Sequence, residues 1–172
     1  IKEDYLRILR YLRFFLNYSK QPHDPKIVKV LKMNLMGIAN LSKERLLDEL
    51  RKTLKPNVLE SLSKDKIILE ILVSVFPQLK HFNIFSKLNT NLKNMLSKVD
   101  FIFIISLLII DETDNVEYFI YKFNLSKKDQ KRIRNISDFY KKKITSKTFT
   151  EKNLNLIFYH SGKKNSLRYF KL

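Results

Sequence analysis

Apolar positions recur with a helical period from the first residues of the chain. Over residues 1–18, IKEDYLRILRYLRFFLNY, a turn of roughly 100° per residue gathers Tyr5, Ile8, Leu9, Leu12, Phe15 and Leu16 into one stripe. On the opposite side Glu3, Arg7 and Arg10 stack nearly in line, with Asp4 and Arg13 flanking them. Glu3–Arg7 has (i, i+4) spacing and Asp4–Arg7 (i, i+3), so the pattern predicts Arg7 held between two carboxylates. On periodicity alone this is a solvated helix face laced with ion pairs.

The same pattern continues along the chain. Residues 18–25, with Pro22 and Pro25 among small polar residues, read as the loop that stops the first helix. A second helix is predicted over 26–36, with Ile27, Val28, Leu31 and Leu35 inward and Gly37 near its C-terminal cap. Ser42 caps a third helix over 43–54, with Glu44 in its first turn and Leu46, Leu47, Leu50 and Leu54 as its stripe. After the Pro56-Asn57 break, a short helix over 57–62 and a more apolar one over 65–75 follow, the latter ended by Phe76-Pro77-Gln78-Leu79. Another helix is expected over 85–99.

Residues 101–110, FIFIISLLII, form the strongest apolar run. Ten residues are too few to span a bilayer, which takes about 20. The β-branched and aromatic content also suits a buried strand, but the helical surroundings favour a central buried helix. Asp111-Glu112-Thr113-Asp114 has the carboxylates of a Mg²⁺ site. No glycine-rich loop or second carboxylate segment accompanies it, so it reads as a polar loop. A short helix or turn over 118–125 leads to Ser126-Lys127-Lys128-Asp129, which opens a last helix running to about residue 144.

Composition narrows the class. Two glycines and four prolines in 172 residues leave too few turns for an all-β fold. The expected fold is all-α: an elongated array of short-to-medium helices with no sheet, in regions 1–65, 66–125 and 126–172. The net charge of +17 exceeds what solubility needs and points to a polyanion, nucleic acid before an acidic membrane surface. Part of that excess reads as compositional drift, since Lys is abundant together with Asn and Ile, as A/T-rich coding favours. With no cysteine there is no disulfide or thiolate metal site, which fits a reducing, cytoplasmic setting. His23, His81 and His160 show no ligand spacing, so no metal is assigned. No targeting segment opens the chain, and a start inside a helix without Met raises the expectation of polypeptide upstream.

Glu3-Asp4-Tyr5-Leu6-Arg7, running on through Arg10 and Arg13 to Phe14, resembles the EDxxR…LRxxRF signature of the tRNA nucleotidyltransferase/poly(A) polymerase family. More narrowly it resembles the bacterial-type (class II) CCA-adding enzymes. Residues 41–50, LSKERLLDEL, are similar to the LSxERIxxEL element that follows in those enzymes, in the right order and at the right distance. The resemblance is firm over residues 1–55 and loose beyond. It makes the three regions neck-like, body-like and tail-like, with residues 158–164 faintly similar to a YRxGK-like turn in a tail that is expected to be truncated.

This resemblance implies that Asp4 and Arg7 pair with the incoming base, that Glu3 supports the arginine and that Arg10 belongs to the same nucleotide-binding set. Glu44, Arg45 and Glu49 are implied as braces of that helix. The chemistry is coherent: a carboxylate accepts and a guanidinium donates in a fixed planar fork. Cytosine and adenine both offer an exocyclic amino donor beside a ring-nitrogen acceptor, whereas guanine and uracil present the reverse and would leave polar groups unpaired.

The last helix carries Lys127, Lys128, Lys131, Arg132, Arg134, Lys141, Lys142 and Lys143. Cations gathered on one element suit contact with an RNA phosphate backbone, and equally suit a solvated basic face. No catalytic residue is assigned. The family's Mg²⁺-binding aspartate pair belongs to a head domain expected in cis or in trans, so no cofactor is expected on this chain itself. The implied function is the base-selecting, tRNA-binding part of an enzyme adding CCA from CTP and ATP, without a membrane partner. A poly(A) polymerase or a CC- or A-restricted enzyme shares the helix, and a non-catalytic helical RNA-binding module is the alternative of another class.

Overall fold

The computed structural model describes residues 4–86 and 88–143, together with 152, 156, 157 and 159. Among them the chain is all-α, with no strand. Helix α1 (Leu6–Tyr18) buries Leu6, Ile8, Leu9 and Leu12, with Tyr5, Phe15 and Leu16 half-buried at the edges of the stripe. It starts later than its hydrophobic period predicts. Asp4 Oδ1 accepts the Leu6 N–H at 3.1 Å, which satisfies a free donor at the helix end and places Asp4 just outside the helix.

Helix α2 (Pro25–Met33) opens on Asp24, whose side chain accepts the Lys26 N–H at 2.7 Å, with proline at the tolerated first position. It ends earlier than expected, and the chain tightens into a 3₁₀ segment, Leu35–Asn40. Gly37 lies inside that segment and does not cap α2. A Cβ there would sit 2.1 Å from Cε1 of Tyr5, so the Tyr5 ring lies directly against the glycine backbone. Ser42 caps α3 (Lys43–Thr53) by accepting the Arg45 N–H at 3.3 Å. A 3₁₀ turn (Pro56–Val58), α4 (Leu59–Lys64) and α5 (Lys66–Val75) follow, α5 being capped by Asp65.

The helix expected over 85–99 is shorter and starts later than its pattern predicts, and a separate 3₁₀ turn precedes it. A 3₁₀ turn, Phe82–Phe85, is entered through His81 in the left-handed region at φ 59°. Asn89 then accepts the Leu92 N–H at 2.9 Å and starts α6 (Thr90–Leu96) afresh. Asp100 caps α7 (Phe101–Ile109) in the same way, and every residue from 101 to 110 is buried, so the apolar run is the central helix. Ser106, the one polar residue of that run, returns its hydroxyl to the Ile102 carbonyl at 2.6 Å. Residues 111–114 are a turn: Asp111 accepts from the Thr113 N–H and hydroxyl and pairs with Lys80 at 2.6 Å.

Helix α8 (Asn115–Phe123) begins before the expected residue 118. The Asn115 amide donates to the carbonyls of Gln78 at 2.9 Å and Ile109 at 2.8 Å, a long-range pairing with no local periodic signature. Asn124, left-handed at φ 45°, ends α8, and Ser126 accepts the Asp129 N–H to open α9 (Lys127–Lys143). Helix α1 packs on α3, α3 on α8, α8 on α9 and α9 on α7. One hydrophobic core runs continuously from Leu6 to Ile157. Phe76, Phe85, Phe103 and Phe119 are fully buried in it, each stabilising the fold by about 2–3 kcal/mol.

Candidate nucleotide-binding site

The charged side of α1 meets α3 through a ladder of alternating charges. Arg45 Nη2 lies 3.1 Å from Asp4 Oδ1, and Arg10 Nη1 lies 3.5 Å from Asp4 Oδ2. Arg10 Nε reaches Glu49 Oε1 at 3.8 Å, and Arg13 Nε donates to Glu49 Oε2 at 3.1 Å. Lys52 Nζ reaches the same carboxylate at 3.5 Å while pairing with Asp48 one turn back. Helix α3 sets these positions: its apolar stripe faces the core, and Glu49, next to Leu50 on the border of that stripe, is carried under α1.

Burial separates the roles. Glu49 is 2% exposed, a carboxylate out of solvent that is sustained by three cations. Arg10 keeps 42% of its side chain in solvent while bridging Asp4 and Glu49. Asp4 lies at the open end of the ladder. Partial burial pushes its carboxyl up, but the Leu6 N–H and the guanidiniums of Arg45 and Arg10 outweigh that and hold it below the usual value. Among the described residues its Oδ1 carries two donors, the Leu6 N–H and Arg45, while its Oδ2 has the longer Arg10 contact, which leaves Oδ2 the more available acceptor.

Of the residues implied by resemblance, Asp4, Arg10, Arg45 and Glu49 come together in this ladder, and Arg7 stands exposed on α1 beside it. Glu3 lies outside the described residues. Glu44 is in the first turn of α3, where its own N–H and the Ser42 hydroxyl hold its carboxyl below the usual value, so it serves the helix end. Arg13 was absent from the implied binding set, yet it makes the shortest contact to Glu49. Its place in the LRxxRF pattern was the available signal.

The basic helix α9 divides in two. Arg134 forms a fork with Glu117 of α8, at 2.8 and 2.7 Å, and Arg132 pairs with Asp100 at the start of α7. These two arginines brace the fold. Lys127, Lys128, Lys131 and Lys141 are exposed, and Lys142 and Lys143 end the helix. His23 is half-buried and tied through both ring nitrogens: Nε2 meets Asp65 at 2.9 Å, Nδ1 meets the Tyr11 hydroxyl at 2.9 Å, and Phe15 stacks on the ring. Among the described residues no group of three or more His, Cys, Asp or Glu is placed to hold a metal, and no helix is long and apolar enough to cross a membrane.

No family model matches the chain. Similarity to individual proteins is confined to a short stretch. The chain is 44% identical over 59 residues to CCA tRNA nucleotidyltransferase 1, mitochondrial, of Danio rerio, covering 33% of this chain and 14% of the relative. The protein of the same name from Homo sapiens is 46% identical over 59 residues, again 33% and 14% of the two lengths. That of Mus musculus is 45% identical over 56 residues, 31% of this chain and 13% of the relative. The match thus spans about a seventh of the length of these relatives. Over about a third of its own length, this chain is similar to CCA tRNA nucleotidyltransferases.

Proposed function

We propose that this chain is the base-selecting and tRNA-binding portion of a bacterial-type (class II) CCA-adding enzyme, which adds C, C and A to tRNA 3′ ends from CTP and ATP. The observation that carries the reading is the ladder from Arg45 through Asp4 and Arg10 to the buried Glu49, joining residues of two separate motifs. A nucleotide-selecting edge must be rigid, because discrimination rests on hydrogen bonds that fail when the wrong base is offered. The ladder supplies that rigidity: Glu49 holds Arg10, and Arg10 and Arg45 hold Asp4.

In this reading Asp4 Oδ2 accepts the exocyclic amino proton of cytosine or adenine, and the exposed Arg7 donates to the adjacent ring nitrogen. Uracil and guanine would set a carbonyl against the carboxylate and an N–H against the guanidinium, leaving each unpaired. The lysines of α9 and the +17 net charge supply attraction for the tRNA backbone. In this reading the metal and the phosphoryl transfer belong to a head domain acting in cis or in trans. The neck-like, body-like and tail-like division of residues 1–65, 66–125 and 126–172 belongs to the same proposal. For the compartment we propose a reducing, aqueous one. The relatives' names are mitochondrial and the absence of cysteine suits the cytoplasm as well, a choice that fractionation of the tagged full-length protein decides.

The reading is tested by joining this chain to a head domain and offering tRNA ending before CCA with radiolabelled nucleotides. Addition of C, C and A followed by arrest is the expected result. A homopolymeric A tail would convert the reading to poly(A) polymerase, and RNA binding without any addition would favour the non-catalytic module.

A further inference from the structure

The ladder does not end at Arg13. The guanidinium of Arg13, fixed below by Glu49, lies over the Phe14 ring with Cζ 4.5 Å from its centroid. Phe14 in turn stacks on Tyr18, centroids 6.0 Å apart and planes at 29°. Both rings face solvent, Phe14 49% exposed and Tyr18 76% exposed. A helix that buries four aliphatic side chains on one face therefore leaves two aromatic rings in water on the other, and holds one of them in place with an arginine anchored to a buried carboxylate.

Position on α1 gives the pair its meaning. At about 100° per residue, Arg7, Phe14 and Tyr18 fall within roughly 40° of one another on the helix surface, beside Arg10. A rise of about 1.5 Å per residue places Phe14 some 10 Å and Tyr18 some 16 Å from Arg7 along the axis. Stacked nucleotides advance about 3.4 Å each, so these rings lie about three and five nucleotides from a base held at Arg7. The occupant must be anionic and must offer flat apolar faces, since arginines and exposed aromatics share the stripe and the whole chain carries +17. Unpaired RNA meets both requirements.

We propose that Phe14 and Tyr18 form a stacking ledge for the unpaired nucleotides at an RNA 3′ end, with the part-exposed Arg10 beside it for a phosphate. The ledge rests on the function proposed above, whose strand substrate it would seat. Aromatic stacking is tolerant of base identity, so the ledge holds the strand in register while selection is made elsewhere on α1.

The test uses the enzyme with its head domain and a short single-stranded RNA carrying 2-aminopurine three to five nucleotides from the 3′ position. Binding to the wild type should quench the probe. Tyr18→Ala should weaken binding about 5- to 100-fold, whichever base occupies the position, and Tyr18→Phe should restore it. Phe14→Ala should act in the same direction, and an abasic nucleotide at the probe position should bind the wild type as weakly as the intact strand binds Tyr18→Ala. Wild-type binding and quenching by a folded Tyr18→Ala enzyme would overturn the ledge, as would a Tyr18→Ala effect confined to association with the head domain. The readout needs no nucleotide addition. An enzyme that adds CCA but ignores Tyr18 refutes the ledge alone, whereas Tyr18-dependent stacking without any addition refutes the proposed activity and keeps the ledge.

Discussion

Removing the Glu49 carboxylate would leave Arg10 and Arg13 facing a pocket built around an anion. Breaking a buried pair from one side costs more than the pair contributes, because the remaining charge keeps its desolvation penalty. Both arginines retain some solvent, which moderates the cost. Glu49→Ala is expected to destabilise the fold by about 2 kcal/mol in urea denaturation, with Glu49→Gln losing less. Gly37 makes a different demand. A methyl group there must displace the Tyr5 ring, so Gly37→Ala should cost about 1–3 kcal/mol. Adding Tyr5→Ala should make the pair of substitutions non-additive, since the second removes the atoms the first would strike.

His81 gives the fold a pH dependence at the same scale. Burial pushes its imidazole below the usual value, only partly opposed by the Asp111 carboxylate and the Ile110 backbone. The folded state therefore binds its proton less readily than the unfolded chain does. Stability is fully present above about pH 6.5 and declines as the pH falls through the folded value. His81→Asn, which tolerates the left-handed backbone and does not titrate, should flatten that decline in thermal melts between pH 7 and 5.

Each helix reads clearly from sequence where its own residues decide its ends. Ser42, Asp65 and Asp100 accept N–H groups at the starts of α3, α5 and α7, and these three boundaries match their periodicity. Legibility fails where distant partners decide. Asn115 starts α8 by reaching back to Gln78 and Ile109, and His81 turns the chain beside the residues that follow α7. The ladder was legible in residue identity but not in pairing. The (i, i+3) spacing of Asp4 and Arg7 presupposed helix at residue 4, whereas Asp4 stands before α1 and pairs with Arg45 and Arg10. Helix α9 invites a corresponding prediction. Neutralising Lys127, Lys128 and Lys131 to Gln should weaken tRNA binding and reduce the slope of log affinity against log salt by about 2–3, without affecting stability. Arg134→Ala should instead loosen α9 from α8 and lower stability, because its fork is spent on Glu117.

At the scale of the molecule, a continuous core supports one face of α1 while the other face carries the charged ladder and the exposed aromatic pair. Core packing fixes α1 against α3, the Glu49 ladder fixes the arginines, and the arginines fix Asp4. That order predicts that base choice and strand affinity are separable: α9 lysines change how tightly tRNA is held, and the N-terminal end of α1 changes which nucleotide is added. The measurement that tests this most directly is nucleotide selectivity. The head-bearing enzyme, with Arg7→Ala and with Asp4→Ala, is given tRNA lacking CCA and each of CTP, ATP, UTP and GTP in turn. The account predicts that the kcat/KM preference for C and A over U and G collapses in both variants while tRNA affinity stays within about twofold of the wild type. Variants that add C and A with undiminished preference would contradict it.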